Sequence, residues 1–368
     1  YGAELHFSSS RIDVLAGCRF AHFLQYGLRA QEREPAEFDS RFYGTFVHDV
    51  LEHVVQQTER EGGFAAVPRS RVQELAQERM EQNAQTLLET FPDSGRTGYL
   101  LRRTFDEVTQ VVDELYDELS VSVFRPKFCE LEFSARGALP GVAFAGERCR
   151  GVVEGFVDRV DVWQSGGRPY VRVVDYKTGK KSFDYTNVLH GRGLQMLLYL
   201  FALVRQGGHL LHGEPLPAGV LYFPARIERV SVRDRLAQAE IEKERRKQLR
   251  RSGVLLNSDP VLEAMEPCGG SPRFLPYALD KEGRKTGDLA SFAQLAQLER
   301  FVFRTVAALG DELADGRIDP DPCIRDAKDS ACAFCPYSEI CAGHEQPRWL
   351  KKITAEEFWQ TLERREHG

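Results

Sequence analysis

Residues 155–179 read GFVDRVDVWQSGGRPYVRVVDYKTG. Two valine-rich stretches alternate with period two on either side of Ser165-Gly166-Gly167-Arg168, and a Gly-Gly pair between such stretches is a strong β-hairpin signal. With Gly166 and Gly167 as a two-residue turn, paired positions sum to 333, which sets Asp158 directly across from Asp175. Cross-strand partners have Cβ atoms about 4.5 to 5.5 Å apart, so two carboxylates placed there repel unless a cation lies between them. A hard divalent ion suits that position, since Mg²⁺ takes one or two carboxylates plus waters and substrate oxygens. Lys177 is two residues beyond Asp175 and projects from the same strand face. Its ammonium is placed to orient or help deprotonate a water and to neutralise charge on a phosphodiester. A lone Asp-x-Lys on a surface hairpin makes ordinary ion pairs, but here it follows a strand that reads as buried.

Working outward, Lys127–Phe133 and Gly219–Phe223 read as further strands, and Gly193–Arg205 as a helix. The front third reads as all-helical. Ser8-Ser9-Ser10 caps a helix running to about Leu28, and three more follow over Gly44–Glu61, Ser70–Thr90 and Thr97–Val121, with Phe91–Gly95 as the last break. Beyond the core come a polar helix to about Arg251, a Pro- and Gly-rich loop-like stretch, and a helix over Asp288–Asp315. The expected class is α/β, a central mixed sheet of about four to five strands flanked by helices. No internal repeat and no GxxxxGK[ST] phosphate loop occurs, so no ATPase motor is expected in these residues.

At 368 residues, 42% hydrophobic and 28% charged, the composition is that of an ordinary globular protein. The longest apolar run, Leu194–Val204, is interrupted by Gln195 and falls far short of the roughly 20 residues that span a bilayer. No membrane association is expected. A chain opening on Tyr1-Gly2-Ala3, without Met or an apolar leader, reads as a piece of something longer in a cytoplasmic setting. The net charge of −6 excludes a uniformly basic surface but not a local track for phosphates. Two such clusters stand out: Lys243, Arg245, Arg246, Lys247, Arg250 and Arg251, and Lys177, Lys180 and Lys181. The first reads equally well as a solvated helix face with Glu242 and Glu244 interleaved.

Gly155–Asp161 together with Val174–Gly179 resembles motifs II and III of the RecB-type PD-(D/E)XK nucleases. Gly44–Glu52 is similar to that family's Gly-x-x-x-His helix, and Gln195–Tyr199 to its Gln-x-x-x-Tyr helix, in the same order along the chain. The resemblance implies a restriction-endonuclease-like core in which His48, Asp158 and Asp175 ligate Mg²⁺ or Mn²⁺ with the Tyr176 carbonyl. It also implies Lys177 as the catalytic lysine, with Gln195 and Tyr199 reaching a phosphate or that lysine together. Taken singly, a His on an amphipathic helix is more often a satisfied core or surface histidine, and a Gln/Tyr pair at i, i+4 is usually one helix face.

Eight cysteines in a cytosolic chain do not read as disulfides. Cys332, Cys335 and Cys341 form a compact metal-binding triplet that needs a fourth thiolate, from Cys323 nearby or from Cys18 at the other end. Zinc sites favour paired knuckles, whereas a cubane accepts one remote thiolate. The similarity to AddB-type nuclease domains, which carry one cysteine before the His motif and a C-x2-C-x5-C triplet after the core, implies a 4Fe-4S cluster on Cys18, Cys332, Cys335 and Cys341. Its role would be a staple between the chain's ends. Cys129, Cys149 and Cys268 read as packed thiols.

The expected organisation is a single nuclease domain: a helical part over 1–125 with the His motif, a catalytic α/β core over 126–225, a helical and loop extension over 226–320, and an iron-sulfur lobe with tail over 321–368. The expected activity is metal-dependent hydrolysis of DNA phosphodiesters, as an exonuclease in end processing or recombinational repair, with a helicase subunit as partner. A non-catalytic DNA-binding or scaffold subunit with a structural Fe-S or Zn site is the alternative; intact His48, Asp158, Asp175 and Lys177 argue against it.

Overall fold

In the computed structural model the Gly166-Gly167 hairpin has the register read from the sequence, pairing Ser165 with Arg168 and continuing to Arg159 with Val174. Both glycines have positive φ, 57° and 75°, as a tight two-residue turn requires. Residues 4–30, 40–90, 95–179, 182–227, 238–341, 343 and 346–367 are described. Lys180 and Lys181, and the break at 91–94, lie outside them.

The strands are β1 (Glu4–Ser8), β2 (Arg125–Phe133), β3 (Val142–Ala145), β4 (Arg150–Ser165), β5 (Arg168–Lys177), β6 (Leu216–Pro224), β7 (Ser252–Leu256), β8 (Tyr277–Leu279), β9 (Lys285–Gly287), β10 (Leu289–Ala290), β11 (Cys323–Ile324) and β12 (Arg348–Trp349). Among the described residues one mixed sheet of eight strands runs β1-β4-β5-β6-β7-β10, with β2 and β3 also on β4. The helices are α1 (Ser9–Gly17), α2 (Arg19–His22), α3 (Ser40–Arg60), α4 (Arg69–Thr90), α5 (Gly95–Val121), α6 (Tyr185–Leu189), α7 (Gln195–Gln206), α8 (Gly208–Leu211), α9 (Gln238–Leu249), α10 (Asp259–Met265), α11 (Phe292–Ala314) and α12 (Ala355–His367). None of them is long and apolar enough to cross a membrane.

Three expectations are corrected. The helix expected to run from Ser9 to Leu28 breaks at Cys18, which is extended (φ −163°, ψ 122°), before α2 and a π-helical turn over Phe23–Gly27 resume. The front third is not all-helical, because Leu5 and Phe7 alternate inward on β1, which pairs in parallel with the first half of β4. The stretch after Arg251 also departs from expectation, since β7 in the loop-like part joins the sheet and so does β10, at the start of the helix expected over Asp288–Asp315, which begins only at Phe292. Its strands are two to five residues long, too short for periodicity to register. The sheet thus draws on residues outside 126–225 at both ends.

Alternation along β4 and β5 puts Arg159, Asp161, Arg172 and Tyr176 on one face and Asp158, Asp175 and Lys177 on the other. On the first face the charges form a buried network. Arg159 donates to both Asp161 carboxylate oxygens (2.8 and 3.0 Å) and to the Tyr176 hydroxyl (3.1 Å), and Arg172 donates to Asp161 (2.7 Å) and to Glu118 of α5 (3.1 Å). Arg251, at the foot of β7, donates to the other Glu118 oxygen at 2.8 Å. Burial alone would raise the Glu118 carboxyl, but the guanidinium groups of Arg251, Arg172 and Arg159 hold it below its ordinary value. The network clamps α5 to three strands, and each charge in it is expensive to orphan.

Candidate active site and cysteine cavity

Asp158 and Asp175 follow the last paired residues of the β4–β5 ladder, and the ladder's geometry survives there, since the Tyr176 N–H donates to Asp158 Oδ2 at 2.6 Å. Asp175 is 5% exposed, and its Oδ2 lies 2.5 Å from Lys177 Nζ. Outside that ion pair this oxygen is buried with no hydrogen-bond partner. Helix α3 brings His48 to the same point, with Nε2–H donating to the Tyr176 carbonyl at 2.8 Å and Nδ1 facing Asp158 Oδ2 at 3.5 Å. Asp49, held by Arg79 and Asn83 of α4, helps fix α3 there.

Sequence reasoning missed Glu130. The β2–β4 register pairs Cys129 with Arg159 and Leu131 with Val157, so Glu130 stands across from Asp158 on the side opposite Asp175. One ligand atom each from His48, Glu130 and Asp158 lie within 4.8 Å of one another. Glu130 has φ 48°, a left-handed conformation costly for a non-glycine residue and commonest at functional sites. Its strand was legible, but the long connection from Phe133 to Arg150 gives no turn from which to count register.

The electrostatics fit a cation. Burial, and next the Asp175 charge, push the Asp158 carboxyl up to about 6, with His48, the Tyr176 N–H and Lys177 opposing. Burial, then the charges of Asp158, Glu52 and Asp175, push Glu130 up to about 7. Acids so arranged are uncomfortable when ionised and are relieved by a divalent ion.

Gln195 and Tyr199 lie at the start of α7, and after burial the charges of Asp175 and Asp158 are among the influences that raise the Tyr199 hydroxyl. Gln195 opens α7 half-buried, while Tyr199 is 1% exposed, stacks on Phe133 (centroids 4.9 Å apart) and donates to the Glu154 carbonyl at 3.4 Å. An added Cβ at Gly155 would collide with that hydroxyl. Tyr199 is thus tied to β4 at Glu154 and Gly155, three residues before Asp158.

Cys18, Cys332, Cys335 and Cys341 line a single cavity of about 150 Å³ together with apolar groups such as Phe20, Pro320 and Pro322. The extended backbone at Cys18 turns the chain out of α1 there. Burial raises the Cys332 thiol, and among the smaller influences Cys335 and Cys341 add to it. Cys323 is absent from this lining; it is fully buried and its thiol donates to the Ala16 carbonyl at 3.3 Å. Of the other thiols, Cys149 is buried, Cys129 half-buried, and Cys268 exposed rather than packed. Direct contacts also join these regions: Arg19 pairs with Glu312 and with Asp321 (2.6 Å), and Arg348 donates to the Ala16 carbonyl at 2.7 Å.

A profile described as the PD-(D/E)XK nuclease superfamily matches residues 6–342. The chain is 33% identical over 348 residues to the B-type subunit of the ATP-dependent helicase/deoxyribonuclease of Moorella thermoacetica, covering 93% of this chain and 30% of that protein. It is 31% identical over 359 residues to the protein of the same name from Caldanaerobacter subterraneus subsp. tengcongensis (93% and 30%), and 29% over 378 residues to that of a Thermoanaerobacter species (99% and 32%). It therefore spans about a third of the length of these curated relatives. The matched span runs from β1 into the cysteine lobe and encloses the hairpin acids, the lysine and the histidine helix: the chain belongs to the PD-(D/E)XK nuclease superfamily.

Proposed function

We propose that this chain hydrolyses DNA phosphodiesters with a divalent metal ion, acting as an exonuclease on DNA ends within a longer protein that works with a helicase subunit. The observation that carries the reading is the meeting of one ligand atom each from His48, Glu130 and Asp158 within 4.8 Å of one another, beside Asp175 and the Lys177 paired with it. His48, Asp158, Asp175 and the Tyr176 carbonyl, joined by Glu130, would hold Mg²⁺ or Mn²⁺. When bound, such an ion supplies Lewis acidity toward the phosphoryl oxygen and lowers the pKa of water. The chain's own groups do the rest. Lys177, held against Asp175, sets a positive charge where the phosphoryl group gains negative charge. Asp158, gripped by the Tyr176 N–H, is fixed in position before substrate arrives. The helicase partner and the DNA substrate are supported by the names of the relatives.

The same reading assigns a 4Fe-4S cluster to Cys18, Cys332, Cys335 and Cys341, supported by the single cavity they line. The cluster would close the N-terminal helices onto the C-terminal lobe.

Asp175→Ala and Lys177→Ala test the nuclease reading. Each is expected to lose cleavage of a labelled duplex in Mg²⁺ or Mn²⁺ while its circular dichroism stays that of the parent. Cleavage retained in both, or undiminished in excess chelator, overturns it.

A further inference from the structure

Asp175 of β5, Tyr222 of β6 and Ser252 of β7 are register partners in one row across three strands, and Lys177 and Pro224 stand in the row two residues on. Register partners share a face of a sheet. The face that carries the acid and the lysine therefore continues sideways as Tyr222, Pro224 and Ser252, and the Asp175 charge contributes to raising the Tyr222 hydroxyl after burial. Over this continuation lies a cavity of about 310 Å³ that begins at Lys177, within the range of small-ligand sites.

Among the described residues its lining includes Lys177, Arg226 and Arg250 and no acidic residue, which suits an anion. Arg250 is anchored by donating to the carbonyls of Leu275 (3.1 Å) and Tyr277, and Arg226 lies over the Tyr43 ring, 4.9 Å from its centroid. Gln248 lines the same cavity, and its amide carries both donor and acceptor groups of the kind that pair with a nucleobase edge. Tyr222 and Pro224 give an apolar wall for a base or sugar. The first part of the basic run lies on α9, with Lys243, Arg246 and Lys247 exposed, and leads to Gln248 and, just past the helix end, Arg250 of the wall.

We propose that this cavity seats the nucleotide adjoining the scissile phosphodiester, its phosphate held by Arg226 and its base turned toward Gln248. The inference rests on reading the chain as a DNA nuclease and assigns that nuclease's neighbouring-nucleotide subsite. Arg226 sets the affinity and the salt dependence of strand binding, through contact with a phosphate.

The test is fluorescence anisotropy of a labelled single-stranded oligonucleotide with the 368-residue chain in EDTA, where binding is read without cleavage. Arg226→Ala is expected to weaken binding about tenfold, the loss of one charge-assisted hydrogen bond. It should also lower the slope of log K against log salt by about one. Ser182→Trp, which fills the cavity from its rim, should weaken binding similarly, whereas Arg168→Ala, the same charge lost from the hairpin turn, should bind as the parent does. Parental affinity and slope in both Arg226→Ala and Ser182→Trp, or an equal loss in Arg168→Ala, overturn the proposal. A parent that binds but cleaves no DNA in Mg²⁺ or Mn²⁺ overturns the nuclease reading instead; loss of binding in Arg226→Ala then still supports the cavity as a nucleotide site.

Discussion

Replacing Asp158 by Asn should stabilise the metal-free protein. Burial and the neighbouring Asp175 displace the Asp158 carboxyl from 3.8 to about 6, and at about 1.4 kcal/mol per pH unit that is a cost of about 3 kcal/mol when it is ionised. The side chain is 14% exposed, so screening by solvent reduces this only in part. Because the folded-state value is raised, the native protein holds the proton more tightly than the unfolded chain does. Stability therefore falls as pH rises through the window from 3.8 to about 6, and the cost is complete above it. Asn keeps an oxygen to accept the Tyr176 N–H and carries no charge. The gain should be about 3 kcal/mol at pH 8 and shrink to about 1 kcal/mol at pH 4.5. Urea denaturation in EDTA at the two pH values, followed by tryptophan fluorescence, measures it. Adding Mn²⁺ should stabilise the parent and not the variant. A variant less stable than the parent at pH 8, or a difference that does not change with pH, would refute the reasoning.

Glu118→Ala removes the buried carboxylate shared by Arg172 and Arg251, leaving Arg172 with Asp161 alone, and should cost about 3–5 kcal/mol by chemical denaturation; a loss below about 1 kcal/mol would show that the network relaxes cheaply. Gly155→Ala drives a methyl into the Tyr199 hydroxyl and should cost about 1–3 kcal/mol, with Tyr199→Phe added to it recovering part of the loss in a double-mutant cycle. Anaerobically purified protein should contain about four irons per chain, as the cluster type implies. Cys18→Ala should lose that iron as fully as Cys335→Ala, while Cys323→Ala keeps it; stoichiometric zinc in the parent, or iron lost only without Cys323, refutes the assignment.

Much of the site was legible because its information is local. A Gly-Gly turn sets strand register by counting, so Asp158, Asp175 and Lys177 could be brought to one face from sequence, and helical spacing placed His48 on α3. Cysteine spacing isolated the triplet at Cys332, Cys335 and Cys341. The rest depends on contacts between distant segments. Glu130 meets Asp158 only through a register set by packing across a long connection, and β7 and β10 form only because the sheet's edge offers them hydrogen bonds that two to five residues could not secure alone. The break at Cys18 and the burial of Arg251 in a charge network likewise have no local signal. Arg251 belongs to a basic run that reads as one solvated face, and only the tertiary structure separates it from Lys243, Arg246 and Lys247, because Glu118 lies more than a hundred residues away in sequence and within hydrogen-bond reach in space.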